Sequence, residues 1–359
     1  MTNETSAPNG NLNADGNTYE ANREHVLLEP VRRASRDIMK AARVLGPQEA
    51  RFLVDAYYMM QEDRKRANNQ VRALGENQEP NSVLAYLADQ STTLEAQIKL
   101  ALDHYTQGHQ MGEWMRRVDG IGPVLSAGLL AYIDITKAPT VGHIWRIAGL
   151  DPTVKWLSSE ETRRVISRFS EEQENLQPNE VDLVTVTRAC QYFGRNVDTM
   201  VRFMTDAETS KTTWTVTALS KAVARRPWDG KLKTLCWKIG QSFVKGSGRE
   251  ECHYGKWYKV KKAEYTARNL NGDYKEQALA AYNSDYYGKE TEAYKHVKEG
   301  RLPPAQIQAR AQRWAVKLFL SHMHNEWYER HHGKPAPLPY PIAILGHAHY
   351  IPPPLKEAA

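Results

Sequence analysis

The stretch Val118-Asp119-Gly120-Ile121-Gly122-Pro123 sets two glycines around one apolar residue and follows them with a proline. Glycine tolerates positive φ and carries no Cβ, so Gly120 and Gly122 let the backbone turn within a few atoms of a ligand. Pro123 suits the first turn of a helix, where its missing N–H costs nothing. The free N–H groups at that helix start join the glycine amides in a concave donor site at the positive end of a helix dipole, and its natural ligand is a phosphate. Ile121 plugs the turn back into the two flanking helices, and Ala127 with Gly128 lets those helices approach closely. Arg116 and Arg117 tip the helix that enters the turn. This is a helix-hairpin-helix pattern suited to gripping a DNA backbone; its bland counterpart is a tight turn between packed helices.

Two further stretches suit nucleic acid. Residues 221–262 hold twelve basic and three acidic side chains. Lys231, Lys233, Lys238 and Lys245 border an apolar helical stripe of Leu232, Leu235, Cys236, Ile239 and Phe243. Lys256, Lys259, Lys261 and Lys262 then follow among Tyr254, Trp257 and Tyr258. Cations for phosphates, interleaved with rings that stack or pack on sugars, make a nucleic-acid surface, whereas the plainer use of Trp257 and Tyr258 is as core. In the second stretch, Cys190, Gly194 and Met200 hold the small, turn-glycine and apolar positions of a helix-turn-helix. That frame puts Arg195, Asn196, Asp198, Thr199 and Arg202 at or on an exposed recognition helix; an ordinary helical corner has the same spacing.

Gly-Ile-Gly-Pro at 120–123, a spacer ending in Pro139-Thr140, and a helix ending Ala148-Gly149-Leu150-Asp151-Pro152 together resemble the C-terminal half of the IS-one-ten family of insertion-sequence transposases, the bridge-RNA-guided recombinases. The helix over 231–245 and the stretches 313–337 and 339–354 fit the same half, so the similarity runs from about Gly108 to Pro354 with an insertion after Arg164. The resemblance implies DNA binding in transposition or recombination. Two departures limit it. The family's N-terminal RuvC-like domain, with four acidic metal ligands, is expected to be absent. The family also places a nucleophilic serine, followed by glycine, shortly after Gly-Leu-Asp-Pro; here Ser158 or Ser159 stands in that position, but Glu160 replaces the glycine. Those serines also precede Glu160, Glu161 and Thr162, which makes either one a helix N-cap. The alternatives to a DNA-binding protein are a serine-dependent recombinase that needs a partner nuclease subunit, or a non-enzymatic phage or plasmid interaction factor.

The 359 residues carry a net charge of +6, unevenly placed: residues 1–29 hold five acidic and one basic side chain. That asymmetry predicts a solvated, disordered acidic tail ahead of a body that meets a polyanion. Expected partners are duplex or branched DNA, with RNA as a second candidate, and no membrane. Cys190, Cys236 and Cys252 lie far apart without a CxxC, so neither a disulfide framework nor a zinc ribbon is expected, and a reducing cytoplasm is the natural setting. His322, His324, His331, His332, His347 and His349 lack a matching carboxylate or thiolate, so no metal and no cofactor are expected.

The elements that position these residues read as helices throughout, an all-α fold. Helices are expected over 31–45, 47–74 and 82–104, the last two forming a long hairpin whose stripe includes Phe52, Leu53, Ala56, Tyr57 and Met60. That hairpin is a spacer or a surface for self-association. The domain reading is 30–108 for the helical hairpin, 109–165 for the helix-hairpin-helix core, 166–228 for the insertion, and 229–359 for a basic helical layer. A helix over 304–327 is expected to bury Ile307, Ala311, Trp314, Ala315 and Leu318, and the final prolines to strap the domain.

Overall fold

The computed structural model describes residues 32–76, 82–153, 156–173, 176–205, 214–224, 226–344, 346 and 350–354. The acidic stretch 1–29 lies outside them, as do His347 and His349. The fold is all-α, and among the described residues the sole β pairing is an isolated bridge between Glu180 and Thr215. No helix among them is long and apolar enough to cross a membrane.

Two compact units emerge. A short helix α1 (Arg36–Ala41) passes into a 3-10 turn (Ala42–Val44), where the sequence predicted one helix over 31–45. Helices α2 (Pro47–Glu76) and α3 (Ser82–Gln107) follow, and the unit boundaries fall within both. The smaller unit holds Tyr58–Gln97 with the described part of Met1–Ile38. There the two helices pair through Arg64 to Glu95 at 2.5 Å and Ser91 Oγ to Asp63 at 2.8 Å, while Gln97 accepts from the Ala34 N–H.

The larger unit begins with the remaining turns of α2 and α3, which bury Ala50, Val54, Leu102 and Tyr105. Phe52 is 72% exposed, against expectation, because the buried stripe runs through Ala50 and Val54 instead. Then come α4 (Gly112–Arg117), α5 (Pro123–Tyr132) and α6 (Val141–Ile147). Helices α7 (Ser159–Glu171), α8 (Leu183–Phe193), α9 (Val197–Thr205) and α10 (Val216–Ala224) close a core of their own around Ile166, Val186, Cys190, Met200 and Leu219. Helices α7–α10 therefore share one core, to which α7 contributes Ile166 and Phe169.

Helices α11 (Gly230–Gly246) and α12 (His253–Leu270) lead to α13 (Lys275–Asn283), α14 (Glu292–Lys298), α15 (Pro304–His332) and α16 (Tyr340–Ala343). Asp229 caps α11 by accepting from the Lys231 and Leu232 N–H groups, both at 2.8 Å. The α11 stripe Leu232, Leu235, Ile239 and Phe243 is buried, each side chain contributing about 1.5–3 kcal/mol. α15 is the central beam, packed on α11, α12 and α6. Its Ile307, Ala311 and Ala315 are buried as read, while Trp314 and Leu318 are only half-buried. Phe319 of α15 meets Phe243, Tyr254 and Trp114 at centroid distances of 5.7, 5.3 and 6.3 Å, and this aromatic floor supports the glycine turn.

Candidate nucleic-acid interface

The turn between α4 and α5 closes through the Ile121 N–H, which donates to Val118 O at 2.9 Å. Ile121 is 3% exposed, packed inward as the hairpin requires. Gly120 takes φ +91°, a conformation that needs glycine. Gly122 does not share it: at φ −87° and ψ −179° it is extended and caps α5, so the expected positive φ at both glycines holds at Gly120 alone. Gly122 lacks a Cβ for another reason. A Cβ there would meet nothing within 4 Å, and the residue is exposed. Among the described residues the N–H groups of Gly122, Val124 and Leu125 find no hydrogen-bond acceptor, and Pro123 has no N–H to offer.

A second corner buttresses the first. Ser242 Oγ of α11 donates to Gly120 O at 2.6 Å, and Arg249, in the α11–α12 turn, pairs with Asp119 at 2.8 Å. A Cβ on Gly120 would lie 3.2 Å from that Ser242 oxygen and 3.3 Å from the Phe243 ring. The second corner is itself tightly wound: a Cβ at Gly255 would come 2.7 Å from Cys252 Sγ and 2.8 Å from Phe243 O. Burial, with a hydrogen bond to Asp119, pushes the Cys252 thiol pKa up. Gly128 packs on Leu235 of α11, where a Cβ would stand 2.7 Å from Cδ2, so this small residue serves the contact between α5 and α11 rather than the one between α4 and α5. Asp119, Ser242 and Arg249 escaped the sequence reading; the glycine-flanked Gly246-Ser247-Gly248-Arg249 turn was the available signal.

The expected cations divide by what they already bind. Arg116 pairs with Asp103 at 2.5 Å, Arg117 with Glu113 one turn back, and Lys231 with Asp55 of α2. Lys233 lies with Nζ 4.1 Å from the Trp228 ring centroid, its pKa lowered by desolvation and then by Arg226 and Arg313. Lys238 is half-buried on α11. Lys245, Lys256 and Lys259 are exposed around the second corner, with Arg249 57% exposed beside them. Tyr254 and Tyr258 are core, so the reading of them as stacking partners is corrected. Trp257 is half-buried, its ring 5.9 Å from that of Trp314.

In the module of α7–α10, Gly194 ends α8 in the left-handed region at φ 63°, and Cys190 and Met200 are buried as the motif asks. Its polar residues mostly face other work. The Arg195 guanidinium turns inward and donates to Val223 O at 2.8 Å, its pKa lowered by burial and then by Arg146. Asn196 caps α9 by accepting from the Thr199 N–H at 2.8 Å. Asp198, Thr199 and Arg202 have exposed side chains on α9.

Ser158 is the N-cap of α7 within a complete capping box: Oγ accepts from Glu161 N at 3.2 Å, and the Glu161 carboxylate accepts from Ser158 N and Oγ at 3.0 and 2.6 Å. Ser159 is the exposed first residue of that helix. Among the described residues the Ser158 hydroxyl bonds only within this capping box, with Glu161, and so holds the helix start. His322 bonds Tyr254 OH and Ile351 O, both at 2.9 Å, and His324 bonds Ala138 O at 2.8 Å. The bond to Ile351 fastens the C-terminal strap. Among the described residues no group of three or more metal-ligating side chains converges.

Compared with family models, curated proteins and solved structures, the chain matches none.

Proposed function

We propose that this chain is a nucleic-acid-binding protein that holds the backbone of duplex or branched DNA between two adjoining corners and serves transposition or recombination, as the likeness to the C-terminal half of IS-one-ten transposases implies. The observation that carries the reading is the turn at 118–122. It leaves the amides of Gly122, Val124 and Leu125 unbonded, keeps open space where a side chain on Gly122 would be, and lies beside the corner carrying Lys245, Arg249 and Lys256. Amides at a helix start give a phosphate fixed donors, and exposed cations add the salt-dependent term. RNA offers the same phosphates and is the second candidate. A second copy of the chain would meet the helical hairpin at Val83, Tyr86 and Leu87, apolar side chains left exposed on α3.

The test is a salt titration of binding to duplex, branched and single-stranded DNA and to RNA. Replacing Lys245 and Lys256 by Gln is expected to weaken binding uniformly across sequences and to reduce the salt slope by about 1 per lost phosphate contact. An unchanged slope rejects the second corner as part of the grip. No binding of any of these at about 150 mM salt rejects the reading as a whole.

A further inference from the structure

A cavity of about 490 Å³ opens between α12, α15, Trp145 of α6 and the C-terminal segment that carries Ile342 and Ile351. This is within the range of pockets that hold small ligands. Its walls combine indoles with cations: Lys261 Nζ lies 4.8 Å from the Trp314 ring centroid, and Lys317 Nζ lies 4.0 Å from that of Trp145.

The cations are not equivalent. Lys261 is neutralised by Glu264 and Arg268 by Asp273, each at 2.7 Å. Among the described residues Lys317 has neither an ion pair nor a hydrogen bond from its ammonium, and Asp151 is the only charge that acts to raise its pKa against the lowering by burial. An ammonium withdrawn from water without an anion is unfavourable, and the cavity beside it has room for one. The remaining lining narrows the chemistry. Indole walls take a flat ring, and Glu264 with Asn325 offers hydrogen-bonding groups to the ring's edge. A bare phosphate would fill only part of a cavity of this size, and an uncharged ring would leave the Lys317 ammonium with the Trp145 face but no anion.

We propose that this cavity takes a single nucleotide unit, its phosphate at Lys317 and its base against the Trp145 and Trp314 walls. The unit is either a free nucleoside monophosphate or an unstacked or terminal nucleotide of a strand; in the strand form the proposal rests on the nucleic-acid reading above.

The experiment follows tryptophan fluorescence of the full chain on addition of the four nucleoside monophosphates, adenosine, inorganic phosphate, and a short 5′-phosphorylated single strand. Saturable quenching by a monophosphate or the strand is expected, with adenosine and phosphate each weaker by about tenfold or more. Lys317→Met keeps the aliphatic stem and removes the unpaired charge; it is expected to weaken binding about tenfold without lowering the melting temperature. Ile342→Trp fills the cavity from the C-terminal segment and is expected to abolish binding. Quenching by the strand alone assigns the site to nucleic acid, and quenching by free monophosphates alone assigns it to a small ligand. No saturable quenching by any probe up to about 1 mM, or unchanged binding in both variants, overturns the proposal. Duplex binding without nucleotide binding removes the cavity alone; nucleotide binding without duplex binding removes the two-corner grip alone.

Discussion

The corners at 118–122 and 193–196 use the same vocabulary, a turn glycine in a left-handed conformation with arginine nearby, and put it to different ends. At Gly194 a Cβ would meet nothing, Arg195 folds back onto Val223 O, and Asn196 is spent on a cap. At Gly120 the neighbours are fixed by Ser242, Phe243 and the Asp119–Arg249 pair, while the adjoining Gly122 face is left open with unbonded amides. The two glycine turns therefore differ in what surrounds them: one is braced on one side and bare on the other, which is what a phosphate grip asks for. A corner that satisfies itself is structure.

The contrast can be broken most strongly through pH, because a buried histidine, His322, bonds Tyr254 in the floor under the first corner, whereas the described residues of α7–α10 include no histidine. Burial holds His322 at about 4, with the Ile351 carbonyl opposing and His253 adding to the shift. In an unfolded chain the imidazole titrates near 6.5. Between these values the unfolded chain binds a proton that the folded one refuses, so this stability is complete above about pH 6.5 and is lost as pH falls toward 4. The loss should reach about 2 kcal/mol by pH 5. Thermal melts at pH 7 and pH 5 should separate widely in the wild type and less in His322→Gln; equal separation removes His322 as the cause.

A comparison of the glycines sharpens the contrast next. Gly120→Ala combines a strained φ with contacts to Ser242 and Phe243, for about 2–3 kcal/mol, whereas Gly194→Ala pays only for its φ, about 1 kcal/mol. Chemical denaturation of the two variants should rank them in that order. Smaller again are the caps: Ser158→Ala and Asn196→Ala should each cost about 1 kcal/mol. Ser158→Ala should also leave duplex affinity unchanged, and a covalent protein–DNA adduct that disappears with this change would make Ser158 a nucleophile as well as a cap.

Much of the local structure was legible in the sequence. Pro123, Asp229, Gly194 and the Ile121 plug act through neighbours a few residues away, and α11 and α15 announce themselves by an apolar stripe. What stayed hidden depends on distant partners. Arg249 meets Asp119 across 130 residues and Ser242 meets Gly120 across 122, so neither buttress has a spacing to read. Lys231 finds Asp55 in the same way, which is why its charge read as available. Tyr254 and Tyr258 alternate with lysines along the chain, but helical geometry turns the rings inward and the ammonium groups out.

The account rests most directly on Gly122, whose glycine no contact among the described residues requires. Gly122→Ala should cost no more than about 1 kcal/mol, the loss of a favoured N-cap residue, because its φ of −87° accepts any residue and its Cβ meets nothing within 4 Å. If a phosphate approaches that face, the same variant should lose about tenfold or more in duplex affinity, measured at fixed salt by fluorescence anisotropy. A stable variant that binds duplex as tightly as the wild type would contradict the grip at 118–122.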